Sequence, residues 1–203
     1  MTDFAAASRH LARRDPVVAG LVQRFGPCEL PPRRASACAS LTRTIISQQL
    51  GTGAARTIHG RFQAACGGRV TPDAVLSLPE ATARAAGLSG AKWSAIQAVA
   101  EALRSGALSP RRLARLDDEA ARAELTAIRG LGPWSADIYL LFHLRRPDVW
   151  PVGDLGVRKG YALAWGLDET PTARELETLG ERLAPHRSVV AWYCWRVLDA
   201  PPA

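Results

Sequence analysis

The sequence predicts an all-α protein, and three observations carry that expectation. Apolar residues recur three and four positions apart along most of the chain. Helix-opening pairs such as Asp15-Pro16 and Thr71-Pro72 punctuate it. No segment sustains the polar–apolar alternation of a half-buried strand. With 203 residues, 47% hydrophobic and 22% charged, the chain can bury the core of one domain or of two small helical lobes.

The elements follow in order. A first helix is expected over residues 3–14, closed by Asp15-Pro16, and a second over 15–26, with Asp15 as N-cap and Pro16 at the first helical position. "CELPPRRAS", residues 28–36, reads as a loop. "ASLTRTIISQQL", 39–50, places Leu41, Ile45 and Ile46 at helical spacing. After "GTG", residues 54–66 are amphipathic, and Thr71-Pro72-Asp73 opens a helix over 73–78. Residues 79–87 and 91–106 follow, joined by "LSG". Asp117 caps 118–130, with Glu119 in the first turn where the helix dipole favours an acid. A helix over 133–144 comes next, then the irregular "RRPDVWPVGD" of 145–154. Helices over 155–166, 172–185 and 186–200 end the chain. No low-complexity tract or long linker divides it, so 1–203 reads as a single domain with its lobe boundaries open.

Charge narrows the function class. The formal net charge is +7, the footprint expected of a nucleic-acid binder, although Arg-rich, Ala-rich chains are also basic for compositional reasons. Of 26 basic residues only Lys92 and Lys159 are lysines. Cys28, Cys38, Cys66 and Cys194 form no C-x-x-C pair and no cluster with histidine, which argues against zinc or an iron–sulfur cluster and for reduced core cysteines. The N-terminus shows no signal-peptide pattern, and no segment approaches the roughly 18 consecutive apolar residues of a membrane span. A soluble, cytoplasmic, DNA-associated protein is expected.

Two stretches carry the chemistry. In "LTAIRGLGPWSADIYLLF", 125–142, Gly130 and Gly132 flank Leu131, which can staple two helices, and Pro133 suits a first helical turn. Positive φ is expected at Gly132. Such a turn leaves bare amides at a helix N-terminus, a place for a phosphate; it can equally be a tight corner with no ligand. A fainter echo, "AAGLSGAKWSAIQAV" at 85–99, reads as an ordinary helix–helix corner. In "WPVGDLGVRKG", 150–160, Asp154 stands before a new helix, where an Asp is ordinarily only an N-cap. An enzyme that removes a base must grip the backbone, expose one nucleotide and put a carboxylate beside the sugar.

Together, "IRGLGPWSADIYLLF" and "WPVGDLGVRKG" resemble the helix-hairpin-helix, Gly/Pro-rich loop and Asp signature of the DNA glycosylase superfamily. "LTRTIISQQLGTGAARTI" and "HRSVVAWYCWRVL" are similar to its alkylated-base branch, 3-methyladenine DNA glycosylase II. The resemblance spans roughly residues 35 to 200. It implies two α-helical lobes with an active-site cleft between them, in the compact form that lacks an extra N-terminal α/β domain. Glycosylase/lyase members carry a lysine in the hairpin's second helix; Trp134 stands at that position here, and neither Lys92 nor Lys159 matches it. A monofunctional hydrolase that leaves an abasic site is implied, with a non-catalytic DNA-binding module or a glycosylase for another damaged base as alternatives.

The resemblance assigns roles residue by residue. Asp154 becomes the carboxylate that stabilises the oxocarbenium-like sugar and orients water. Trp134 and Trp195, with the adjacent Tyr139 and Trp192, become aromatic faces for a cationic alkylated purine; core packing is the competing role for each. Gln49, with Gln48 beside it, becomes the wedge that fills the space of the flipped nucleotide. Backbone amides of Gly130, Gly132 and Trp134 hold a phosphate, with Leu131 between them. Arg158 and Lys159 are expected to touch DNA. No cofactor is required; a structural monovalent cation on the carbonyls of Thr126, Ile128 and Leu131 is allowed. His59, His143 and His186 have no metal or triad spacing and read as surface or capping residues. The expected partner is double-stranded DNA with damaged bases, bound by a monomer.

Overall fold

The computed structural model describes residues 3–30 and 35–200. The part of the expected 28–36 loop at 31–34 lies outside the described residues. Among the described residues there are helices and turns and no strand. No helix among them is long and apolar enough to cross a membrane. The chain divides into two compact units, residues 33–144 and residues 1–32 with 145–203, which supplies the lobe boundaries.

The 33–144 unit is built on α3 (Ala37–Ser47) and α7 (Gly90–Ser105), which pack on each other. Ser36 caps α3, whose Cys38, Leu41, Thr42, Ile45 and Ile46 are all buried, the apolar stripe seen in the sequence. Around this pair lie α4 (Thr52–Ala65), α5 (Pro72–Leu76) and α6 (Glu80–Ala85). Phe62 of α4 meets Trp93 of α7 edge to face at 6.2 Å. A four-residue helix not anticipated, α8 (Pro110–Leu113), is opened by Ser109 and Pro110 and is too short to show periodicity. The unit ends in α9 (Asp118–Thr126), capped by Asp117 as expected, and α10 (Pro133–Ile138). From Tyr139 to His143 the helix loosens into a π turn, which sequence spacing does not reveal.

The other unit joins α1 (Phe4–Ala12) and α2 (Pro16–Phe25) to α11 (Leu155–Trp165), α12 (Ala173–Gly180) and α13 (Arg187–Asp199). Asp15 caps α2 through Val17 N–H and Val18 N–H, and its carboxylate meets Arg182 at 2.9 Å. Thr172 and Glu175 form a capping box on α12. The core is the crossing of α11 and α13. α13 buries Ser188 to Cys194 without a break, so it is enclosed nearly all round at its N-terminal end. The crossing is close because Gly160 has no side chain: a Cβ there would overlap the Cys194 carbonyl. Gly160→Ala must push the helices apart, an overpacking cost of about 1–3 kcal/mol. The expected outcome is a thermal midpoint lower by several degrees in circular dichroism; an unchanged midpoint would contradict the crossing.

Candidate nucleic-acid interface and active site

The hairpin between α9 and α10 is shaped by backbone. Leu131 N–H donates to Ile128 O at 3.1 Å, and Leu131 is buried as the expected staple. The left-handed residue is Gly130, at φ +87°, not Gly132, which is extended at φ −95° and serves as N-cap of α10. The expectation of positive φ at Gly132 is therefore corrected. A Cβ on Gly130 would overlap Ala95 of α7, whereas one on Gly132 would meet nothing within 4 Å. No side chain caps the α10 N-terminus, and Pro133 occupies its first turn. Helix N–H groups with no protein side chain over them suit an anion.

Two side-chain ties brace this turn. Gln48 Nε2, just past α3, donates to Gly130 O at 3.0 Å and Ser135 Oγ at 2.9 Å. Arg122 of α9 meets Asp137 of α10, with Nε–Oδ1 at 2.9 Å and Asp137 buried. The two helices are thus pinned to each other and to α3 by polar groups that hydrophobic patterning does not report.

Asp154 is held with equal care in the other unit. The 145–154 segment is moored to α13: Arg187 grips Asp148 through two guanidinium nitrogens at 2.9 and 2.8 Å, and Ser188 Oγ donates to Arg146 O at 2.7 Å. Trp150 Nε1 donates to Leu176 O at 2.8 Å. At the end of the segment Asp154 caps α11, its Oδ1 accepting Val157 N–H at 2.8 Å and Trp195 Nε1–H at 3.1 Å. The charge thus sits at the positive end of a helix dipole. Gly156 makes room, since a Cβ there would stand 2.9 Å from Asp154 Oδ1 and 3.1 Å from the Trp195 ring. Asp154, Gly156 and Trp195 form one constellation, of which the sequence reading found the first and third.

Residues 42–186 match the HhH-GPD superfamily of base excision DNA repair proteins. The chain belongs to this superfamily. It is 36% identical over 159 residues to DNA-3-methyladenine glycosylase 1 of Schizosaccharomyces pombe, covering 77% of this chain and 70% of that protein. It is 29% identical over 201 residues to the alkylbase DNA glycosidase-like protein mag2 of the same yeast, covering 97% and 94%. Its fold superposes on the S. pombe 3-methyladenine DNA glycosylase solved in complex with abasic DNA, with a TM-score of 0.89 and 32% identity over 96% of this chain and 97% of that one.

Several expected residues of this HhH-GPD chain stand elsewhere than the sequence suggested. Trp134 and Trp195 are half-buried and keep accessible ring surface. Tyr139 is fully buried and stacks on His143 at 4.4 Å. Trp192 is likewise buried, with the Arg196 guanidinium 4.8 Å above its ring. For both, burial favours the core-packing role that competed with the base pocket.

Gln48 is a tie to the hairpin, and its neighbour Gln49 is exposed at φ +56°. Arg158 turns its guanidinium to Pro171 O at 3.2 Å, leaving Lys159 as the exposed cation of the pair. His143 is buried, contrary to the surface reading. His186 occupies the N-cap position of α13 without a side-chain cap, and Asp148 accepts Arg187 N–H instead. His59 is half-exposed, its pKa lowered by burial and by Arg43. The carbonyls of Thr126, the last residue of α9, and of Ile128 and Leu131 beyond it are neutral oxygens, a donor set that suits a monovalent cation, although Ile128 O also accepts Leu131 N–H. Burial pushes the Cys28 thiol up to about 12 and that of Cys38 to about 11; Cys194 is raised by burial and by the Asp154 charge. These cysteines are thiols at neutral pH, not nucleophiles.

The two hairpin glycines are expected to respond differently. Gly130→Ala combines left-handed strain with the Ala95 overlap and should lower stability by about 1–3 kcal/mol. Gly132→Ala should stay within ~0.5 kcal/mol of the parent. Denaturant titration of both variants checks this, and equal losses would contradict the backbone geometry.

Proposed function

We propose that this protein is a monofunctional DNA glycosylase that hydrolyses the N-glycosidic bond of alkylated purines of the 3-methyladenine type in duplex DNA, leaving an abasic site for base excision repair. The observation that carries the proposal is Asp154, held at the α11 N-terminus and oriented by the Trp195 indole. Family membership and the names of the similar yeast proteins support the substrate class.

The chemistry follows from the leaving group. A purine alkylated at N3 or N7 is already cationic, so it departs with its bonding electron pair without needing a strong acid. The sugar left behind gains oxocarbenium character, and the Asp154 carboxylate stabilises that charge and orients the attacking water. Trp134 and Trp195 offer electron-rich faces to the cationic base, a stacking contribution of about 0.5–2 kcal/mol. Trp134 stands where a lyase would carry its amine, so no Schiff base forms with the sugar. The Gly130, Gly132 and Trp134 amides hold a backbone phosphate, Gln49 fills the vacated stack and Lys159 adds attraction to the backbone. A monovalent cation on the Thr126, Ile128 and Leu131 carbonyls would add positive charge beneath the hairpin. The protein acts as a monomer in the cytoplasm.

The deciding experiment is a base-release assay on DNA carrying 3-methyladenine, 7-methylguanine, hypoxanthine or ethenoadenine. Release of the alkylated purines is expected, and DNA binding with no release of any base would leave only a binding module. Asp154→Asn should retain the fold and DNA binding while release falls ~100-fold or more; activity within a few-fold of the parent would remove Asp154 from the mechanism. Borohydride should trap no covalent complex and DNA strands should stay intact, whereas a trapped adduct would establish lyase chemistry. Trp134→Ala should spare binding to undamaged duplex and reduce release, because stacking matters only once the base is flipped.

A further inference from the structure

Lys92 is not used in the chemistry above, yet its placement is specific. It is the third residue of α7, whose first turn is the positive end of the helix dipole and disfavours a cation. Its side chain leaves that turn for the end of α3. Nζ donates to Ile46 O at 2.7 Å and to Gln48 O at 2.8 Å. Its own N–H is held by the Ser89 cap at 3.2 Å, so the residue is fixed at both ends. The α3 terminus needs such a partner: it has orphan carbonyls, no basic residue in its last turn and no glycine to turn the chain. Gln49 makes the turn instead, at φ +56°, a left-handed conformation that is strained for a non-glycine residue.

We propose that Lys92 is a positioning residue for DNA recognition: its ammonium locks the α3 terminus so that Gln49 is presented in a fixed, left-handed turn. The inference rests on the proposed wedge role of Gln49. The lock is continuous with the hairpin, because Gln48, whose carbonyl Lys92 holds, donates from its side chain to Gly130 O and Ser135 Oγ. The wedge turn and the phosphate-binding turn are therefore fixed to each other within one unit. The residue type fits. This chain uses arginine almost everywhere, but a compact ammonium with freely rotating donors can sit between two carbonyls of one turn, whereas a guanidinium is larger and presents its donors in a fixed planar fork. Burial lowers the Lys92 pKa, consistent with an ammonium drawn away from water toward the carbonyls.

The test compares binding to plain duplex and to duplex with a stable abasic-site analogue, by anisotropy at several salt concentrations, for folded Lys92→Met, Lys92→Arg, Gln49→Ala and the Lys92→Met/Gln49→Ala double variant. Lys92→Met is expected to lose about 10-fold in preference for the abasic duplex, with plain-duplex affinity and its salt slope unchanged. Lys92→Arg should show most of the same loss although the charge is kept. It carries the test if Lys92→Met does not fold. The double variant should lose no more preference than Gln49→Ala alone, since the lysine acts through the glutamine. If both duplexes weaken and the salt slope falls by about 0.9, the width of one phosphate contact, Lys92 is a DNA contact and the proposal is overturned. Parent-like preference in both Lys92 variants, with a loss in Gln49→Ala, overturns the lock but leaves the wedge standing. Unchanged preference in Gln49→Ala overturns the wedge and the lock with it.

Discussion

On the proposed function Asp154 faces a reacting sugar, so its carboxylate has to be held in one orientation. In this protein Asp154 accepts from the N-terminus of α11 and from one indole N–H. Both are directional donors, so they fix where the carboxylate points. Much of the surrounding unit follows from that choice. The 145–154 segment must deliver Asp154 to one place, and the Arg187–Asp148 pair and Ser188 moor it to α13. α13 also carries Trp195, so the residue that orients Asp154 and the residues that fix its approach share one rigid element. α11 and α13 must then lie close enough for the indole to reach, which explains glycine at both 156 and 160.

On the proposed function the 33–144 unit has a different task, to hold a backbone phosphate. Gripping DNA through the phosphate is independent of sequence, so it suits backbone amides better than side chains, whose rotamer entropy is lost on ordering. Amides are useful only if the turn that bears them is stiff. The stiffness comes from Gly130 seated against Ala95, from Gln48 on the Gly130 carbonyl and from Arg122 on the buried Asp137. None of these contacts is local in sequence except the pairing of adjacent helices.

That distinction explains what could be read before the structure. Helix starts were legible because an N-cap is a local device: Asp15, Thr71, Asp117 and Asp154 all act within three residues of themselves. Asp154 was found because its cap sits in a motif. The turn was misread at Gly132 because two glycines around one leucine look alike in sequence. Only Ala95, on another helix, decides which of them must lack a side chain. Tyr139 and His143 were misplaced for a related reason. The π turn that carries both into the interior has no periodic signature. Lys92 was dismissed as a catalytic amine by alignment, and its bond partners, more than 40 residues away, gave it no sequence signal.

Position 134 shows how one residue can decide between two chemistries on this scaffold. An amine there would serve as a nucleophile toward the sugar, but it would also place a second positive charge beside the base. For a neutral oxidised base that charge is tolerable. For an N3- or N7-alkylated purine, already cationic, it opposes binding in the low-dielectric setting where Coulomb terms are strongest. An indole reverses the sign of the interaction, because its negative face attracts the cation while contributing apolar contact. The loss of the amine is tolerable for the same reason that the indole is useful: a cationic purine is a good leaving group, so water positioned by a carboxylate suffices. On this argument Trp134 and the proposed monofunctional reaction are one adaptation.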